Sequence, residues 1–121
     1  MDIIKCDMSD RINSDKYILQ DNEKQIGYGY IIDSEINPID IFINEEERSN
    51  GYGELLFSQL LKIIKQDNKK PLIFEVEKTN YRISNIISKL GALHITTIEN
   101  KNRWVFPLQI QDNWNLYKKY I

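Results

Sequence analysis

The sequence predicts a mixed α/β (α+β) fold, a mostly antiparallel sheet with helices packed on it. Three observations carry this expectation. Stretches rich in β-branched and aromatic residues, some with period-two alternation, lie toward both ends of the chain. Two stretches with helical spacing of apolar residues interrupt them. Turn-forming residues separate each stretch from the next, so the order reads strands, helix, strand, helix, strands.

Taken in order, residues 3–6 make a short edge strand, and the polar stretch 7–16 holds little apolar material. Residues 17–20 and 25–33 form a β-hairpin about the turn chemistry of Asp21-Asn22-Glu23-Lys24. A third strand spans 36–43, where Ile39, Ile41 and Ile43 alternate with Asp40 and Phe42. Pro38 near its start suits a strand beginning or a bulge. After Gly53, Leu56, Leu60, Ile63 and Ile64 follow helical spacing, widened by Phe57 and Leu61. Asp67-Asn68-Lys69-Lys70-Pro71 stops that helix, and 72–77 is again a strand. Ile83, Ile86, Ile87 and Leu90 mark a second helix over 80–90, capped by Thr79 and ended by a left-handed Gly91. Residues 94–99 and 103–110 close the fold as a hairpin around Asn100-Lys101-Asn102, with Trp104 and Phe106 facing the core. Trp114, Tyr117 and Tyr120 are spaced by three and suit a short helix docked on the sheet or on a second subunit.

A chain of 121 residues, 41% apolar and 28% charged, is expected to form one soluble globular domain, 1–121. Its net charge of -2 argues against a nucleic-acid binder driven by bulk electrostatics. No apolar run approaches the length of about 20 residues that spans a bilayer, so no membrane association is expected. One cysteine, Cys6, permits no internal disulfide and points to a reducing cytoplasm. Cys6 ends an apolar run and reads as a buried strand thiol rather than a nucleophile. With that cysteine and one histidine, His94, no metal site is expected, and His94 reads as a structural or surface residue.

The chemistry lies at the junction over 41–57. Three acids, Glu45, Glu46 and Glu47, precede Arg48, and then Gly51 and Gly53 flank Tyr52 where the helix begins. Glycines there remove side chains from the path of a ligand and permit left-handed backbone. The first turn of a helix has unpaired amides and the positive end of its dipole, which together hold a pyrophosphate. Arg48 adds a charge-assisted bond. By itself the segment fits either this site or a well-capped loop. It is not a Walker-type loop, because no Lys-Ser/Thr pair follows, and it lacks the third glycine of a dinucleotide fingerprint.

Residues 41–61 resemble the main motif of the GNAT superfamily of N-acetyltransferases: a strand, then Arg/Gln-x-x-Gly-x-Gly/Ala opening a long helix. Ile43 falls at the usual aliphatic position before Arg48, and Leu55-Leu56 stand where the family places leucines. Phe74-Glu75-Val76, then Asn80, then a helix ending at Leu90-Gly91-Ala92 resembles the family's next strand, asparagine and helix. Ile26-Gly27-Tyr28 is similar to its earlier hairpin. The resemblance covers roughly residues 17–107. It implies an acetyl-CoA-dependent transfer to a primary amine, with no metal. It also implies that the backbone of Ile41, Phe42 and Ile43 pairs with the pantetheine arm. Amides of Arg48, Ser49, Asn50, Gly51, Tyr52, Gly53 and Glu54 would hold the pyrophosphate, and the Asn80 side chain would bond the cofactor. A backbone N–H near Ile43 would serve the developing oxyanion.

The sequence departs from the family in two ways. Ile87 stands where many members carry a tyrosine as general acid, and Tyr81, a helical turn or two away, is the substitute that could reach inward. Counting by twos back from Ile43 leaves Glu35 as the one base on that strand face, acting through water. The 16 or so residues before the hairpin lack helical periodicity, so the family's N-terminal helices are reduced or absent. The acceptor site is then open, as suits a protein or peptide amine, or completed by another subunit, as in a homodimer. Small molecule, peptide and protein acceptors all fit. A CoA-binding regulatory or interaction module without turnover is the alternative that Ile87 and the missing base motivate.

Overall fold

A computed structural model describes residues 1–67 and 71–107. They form two compact units, residues 1–34 with 38–67 and residues 35–37 with 71–107. The expected helix stop at 68–70, the end of the last strand at Ile110, and Trp114, Tyr117 and Tyr120 lie outside the described residues.

The first unit is a four-stranded antiparallel sheet in sequence order, with one helix. Its strands are β1 (Asp2–Lys5), β2 (Ser14–Asp21), β3 (Lys24–Ile32) and β4 (Ile39–Ile43), followed by α1 (Tyr52–Asp67). The expected hairpin is present but longer. Its turn narrows to Asn22-Glu23, because Asn22 takes φ 56° and Asp21 pairs with Lys24. Strand β2 begins at Ser14, earlier than the pattern predicts, because polar Ser14, Asp15 and Lys16 pair with Ile32, Ile31 and Tyr30. Cys6 lies just past β1 and is half-buried, its N–H bonded to the Lys16 carbonyl.

Period-two geometry sorts this sheet into two faces. One face carries Tyr17, Leu19, Ile39 and Ile43, all buried, together with Gly27 and Gly29. The buried stripe of α1, made of Leu56, Phe57, Leu60 and Leu61, belongs to the same core. A Cβ built on Gly29 would lie 2.7 Å from Leu60 Cδ1, so the missing side chain is what lets α1 approach β3. At Gly27 a Cβ would lie 2.4 Å from the Phe42 carbonyl oxygen, which belongs to the paired strand. A backbone oxygen cannot swing aside as a side chain can. Gly27→Ala is therefore expected to destabilise the chain by about 1–3 kcal/mol, read from urea denaturation midpoints; a neutral outcome would contradict this packing.

The strand expected over 36–43 begins only at Ile39. Asn37 takes φ 56°, its N–H bonds the Ile73 carbonyl at 2.8 Å, and its Oδ1 accepts from the Glu75 N–H at 2.9 Å. Ile36 makes a parallel bridge to Ile73. Residues 35–37 thus belong to the second unit, and the alternation resumes after Pro38.

That second unit holds β5 (Leu72–Glu77), α2 (Tyr81–Lys89), β6 (Leu93–Ile98) and β7 (Lys101–Phe106), with β7 between β5 and β6 in an antiparallel sheet. Phe74 and Phe106 pack edge to face at 5.6 Å, and Ile73 and Val105 form a further buried cluster with Ile36 and Ile95. The cap of α2 is Asn80, not Thr79: its Oδ1 accepts from the Ile83 N–H at 3.3 Å. Gly91 takes φ 104°, and the Ala92 N–H reaches back to the Ile87 carbonyl, a Schellman ending. The last hairpin turns at Glu99-Asn100, with Glu99 at φ 57°, so Lys101 and Asn102 belong to β7 rather than to the turn. Phe106 is buried as expected, whereas Trp104 is half-buried and its indole Nε1 has no hydrogen-bond partner among the described residues. His94 is exposed and bonds the Thr96 carbonyl and Thr97 Oγ1 at 3.0 and 3.1 Å. Among the described residues no helix is long and apolar enough to cross a membrane.

Candidate functional site

The junction after β4 is built as a tight, solvent-facing turn. The three acids form a single 3-10 turn, Glu45–Glu47, which the Asn44 carbonyl starts by accepting from the Glu47 N–H. Glu47 is ion-paired with Lys24, so Glu45 and Glu46 are the two acids of the run that face solvent. Arg48 turns its Nε back to the Ile43 carbonyl at 3.2 Å and so pins the end of β4. Ser49 and Gly51 both take left-handed backbone, φ 69° and 80°, with Asn50 between them bonding the Glu47 carbonyl through Nδ2. Residues Arg48, Ser49, Asn50 and Gly51 are all exposed.

The helical ladder starts at Leu55, whose N–H bonds the Gly51 carbonyl at 3.1 Å. That bond marks the start of the helix, where the positive end of its dipole lies. A Cβ on Gly51 would meet nothing within 4 Å among the described residues. Tyr52 and Glu54 are half-buried in the first turn, while Gly53 is buried there. The two glycines therefore differ: Gly51 supplies the left-handed corner in the open, and Gly53 sits inside.

Strand β4 is the last of its sheet. The bonds from Asn44 N–H to the Ile26 carbonyl and from Ile32 N–H to the Pro38 carbonyl show that even-numbered residues here turn their backbone to β3. Ile41 and Ile43 consequently turn theirs to the edge. Phe42 does not, which narrows the three strand residues named from sequence to two. The Ile43 carbonyl is already engaged by Arg48, leaving its N–H on that edge.

Glu35, Asn80 and Tyr81 belong to the second unit. The count by twos that selected Glu35 breaks at the left-handed Asn37, so Glu35 is not on β4. Tyr81 is 71% exposed. It lies five and six residues from the buried Ile86 and Ile87, off their face of the helix, so it does not reach inward. Ile87 itself is 0% exposed.

Sequence reading missed a cluster on the sheet face opposite α1. Pairing aligns Ile4, Ile18, Tyr28 and Phe42 in one row and Lys16, Tyr30 and Asp40 in the next. Tyr28 and Phe42 stack at 5.1 Å, and Tyr30 meets both edge-on at 6.0 and 6.3 Å. The Arg11 guanidinium lies 4.7 Å over the Tyr30 ring and donates to Asp40 Oδ2 at 2.9 Å. Lys16 Nζ lies 4.7 Å over Tyr28 and 3.7 Å from Asp10. The alternation of Tyr28 with Tyr30 and of Asp40 with Phe42 was visible in the sequence, but only the register joins them.

The Tyr30 hydroxyl donates to Asp10 Oδ1 at 2.7 Å. Burial, then this bond, push the Tyr30 phenol up to about 12, while the same bond holds the Asp10 carboxyl below its ordinary value. A phenol whose folded pKa exceeds its unfolded one stabilises fully below pH ~10 and loses that contribution as pH rises through the folded value. Thermal melts are expected to fall between pH 10 and 12, and to fall less in Tyr30→Phe. Equal losses in both proteins would refute the assignment.

No family model and no curated protein matches the sequence. Solved structures do match it. The dodecameric spermidine N-acetyltransferase of Vibrio cholerae aligns with a TM-score of 0.68 at 13% identity, over 85% of this chain and 70% of that one. An acetyltransferase of Bacillus subtilis in complex with CoA gives 0.64 at 11% identity, over 78% and 76%. A Bacillus anthracis protein assigned as a streptothricin acetyltransferase, in complex with acetyl coenzyme A, gives 0.61 at 18%, over 80% and 64%. Sequence motif and three-dimensional likeness agree, and the fold of this chain is GNAT-like.

Proposed function

We propose that the chain is an acyl-CoA-dependent N-acyltransferase that moves an acetyl group from acetyl-CoA to a primary amine. The observation that carries this reading is the left-handed corner at Ser49 and Gly51, which opens α1 after an edge strand and where a Gly51 Cβ would meet nothing within 4 Å among the described residues. The residues fit the co-substrate. A diphosphate over α1 meets several amides and the positive end of the helix dipole. The terminal nitrogens of Arg48 are the part of its guanidinium left for a diphosphate, since Nε is spent on Ile43. A pantetheine arm with its own amides pairs with the outward backbone of Ile41 and Ile43. The Ile43 N–H is then the donor nearest a thioester carbonyl on that edge. Asn80, in the second unit, spends its side-chain carbonyl on capping α2. The neutral amine forms the new C–N bond to the acetyl carbon as the C–S bond breaks, and its proton passes to water or to the departing thiolate. The departing thiolate needs little protonation to leave, so positioning supplies much of the rate.

Solved neighbours that hold CoA and acetyl coenzyme A on a similar fold support this reading. A second reading, a CoA-binding module without turnover, is favoured by one observation: a buried aliphatic, Ile87, fills the position of the family's helix tyrosine. Incubation with acetyl-CoA and a panel of primary amines, monitored by thiol release, separates the two. Release above the amine-free background supports the transferase. Binding of CoA by calorimetry without release supports the module, and no binding rejects both.

A further inference from the structure

We propose that the sheet face carrying Tyr28, Tyr30, Phe42 and Asp40 binds the acceptor, and that its ligand is an alkylammonium ion that displaces the side chain of Arg11. This deepens the acetyltransferase reading and rests on it. The chain's own cations report what the face selects. Arg11 and Lys16 are each held by an aromatic ring and a carboxylate together, Tyr30 with Asp40 and Tyr28 with Asp10. Ring faces attract cations through their quadrupole, and a carboxylate adds a charge-assisted bond. The rings brace one another, and the Tyr30 hydroxyl is fixed by Asp10, so the surface is ordered before a ligand arrives.

The two cations are not equivalent. Lys16 projects from β2 and is part of the sheet. Arg11 reaches in from the connection between β1 and β2, and both it and Asp40 remain well exposed. An ion pair of that kind contributes little stability, so another cation can take its place at small cost. Two residues along β4 from Asp40 and on the same face, Phe42 is 43% exposed, an apolar surface for the methylene chain that carries an amine. Phe42 stands between Ile41 and Ile43, whose edge takes the donor in the reading above. An amine held against Phe42 and Asp40 is therefore next to the donor strand.

The test titrates 1,5-diaminopentane and, separately, a lysine tripeptide with uncharged ends into the full chain, following the aromatic ring signals by NMR. Saturating shifts of Tyr28, Tyr30 and Phe42 are expected with at least one probe, and which probe binds more tightly identifies a free amine or a peptide lysine as the source. Asp40→Asn should weaken binding by about tenfold. Arg11→Gln should tighten it several-fold, because a competitor is removed; a merely structural role for Arg11 would not produce that sign. Ring signals unmoved by either probe, or weaker binding in Arg11→Gln, would overturn the proposal. The titration needs neither coenzyme A nor turnover, so its failure is separate from a failure of the transferase reading, which a coenzyme A titration of the same samples measures.

Discussion

Gly51→Glu is expected to weaken coenzyme A binding by about a hundredfold or more while the chain stays folded. Gly51 is exposed at φ 80°, and a Cβ added there would meet nothing within 4 Å among the described residues. The proposed diphosphate position is the one the new carboxylate would crowd. Like charges brought together at an interface cost several kcal/mol, and each 1.4 kcal/mol is about tenfold in affinity. The folded chain bears a smaller penalty, about 1–2 kcal/mol for a non-glycine residue in left-handed backbone. Gly51→Ala carries that strain without the charge and is the control. Calorimetry should show Gly51→Ala close to the parent and Gly51→Glu without measurable binding. Equal affinity in all three proteins would remove the corner from the site.

Leu60→Ala is expected to be the most damaging change in the first unit. Leu60 is 0% exposed and its Cδ1 fills the place that Gly29 leaves empty on β3. Truncation removes that contact and leaves a cavity that neither a helix nor a sheet can close, at a cost of about 2–5 kcal/mol. A domain has only about 5–15 kcal/mol in hand. The melting temperature should fall by roughly 10 °C or more, at about 4 °C per kcal/mol for a chain of this size. On the acyltransferase reading coenzyme A binds the folded form alone, and adding it should recover part of the loss by mass action. A melting point within 2 °C or so of the parent would show that α1 is not seated as described.

Much of the fold was legible because apolar periodicity survives any tertiary arrangement. The stripe of Leu56, Phe57, Leu60 and Leu61 required a helix, and the buried Ile39 and Ile43 required the alternation read from residues 39–43. Errors gathered where one residue's backbone overrides the pattern. Asn37 at φ 56° ended the strand that sequence extended to Ile36, and with it the case for Glu35 as a strand-borne base. Asn80 took the cap assigned to Thr79, since either residue type satisfies a first-turn amide and only local geometry chooses between them.

By itself the sequence determined the strand and helix order, the glycine-marked turn into α1, and the resemblance that its motif carries. Those depend on neighbours a few positions apart. Tertiary structure alone decided which backbone edge of β4 is turned outward, and that Tyr81 points to solvent. It also brought Arg11, Tyr30 and Asp40 together across three segments. Register and strand pairing set those relations. They join residues up to 29 positions apart, for which a linear pattern holds no signal.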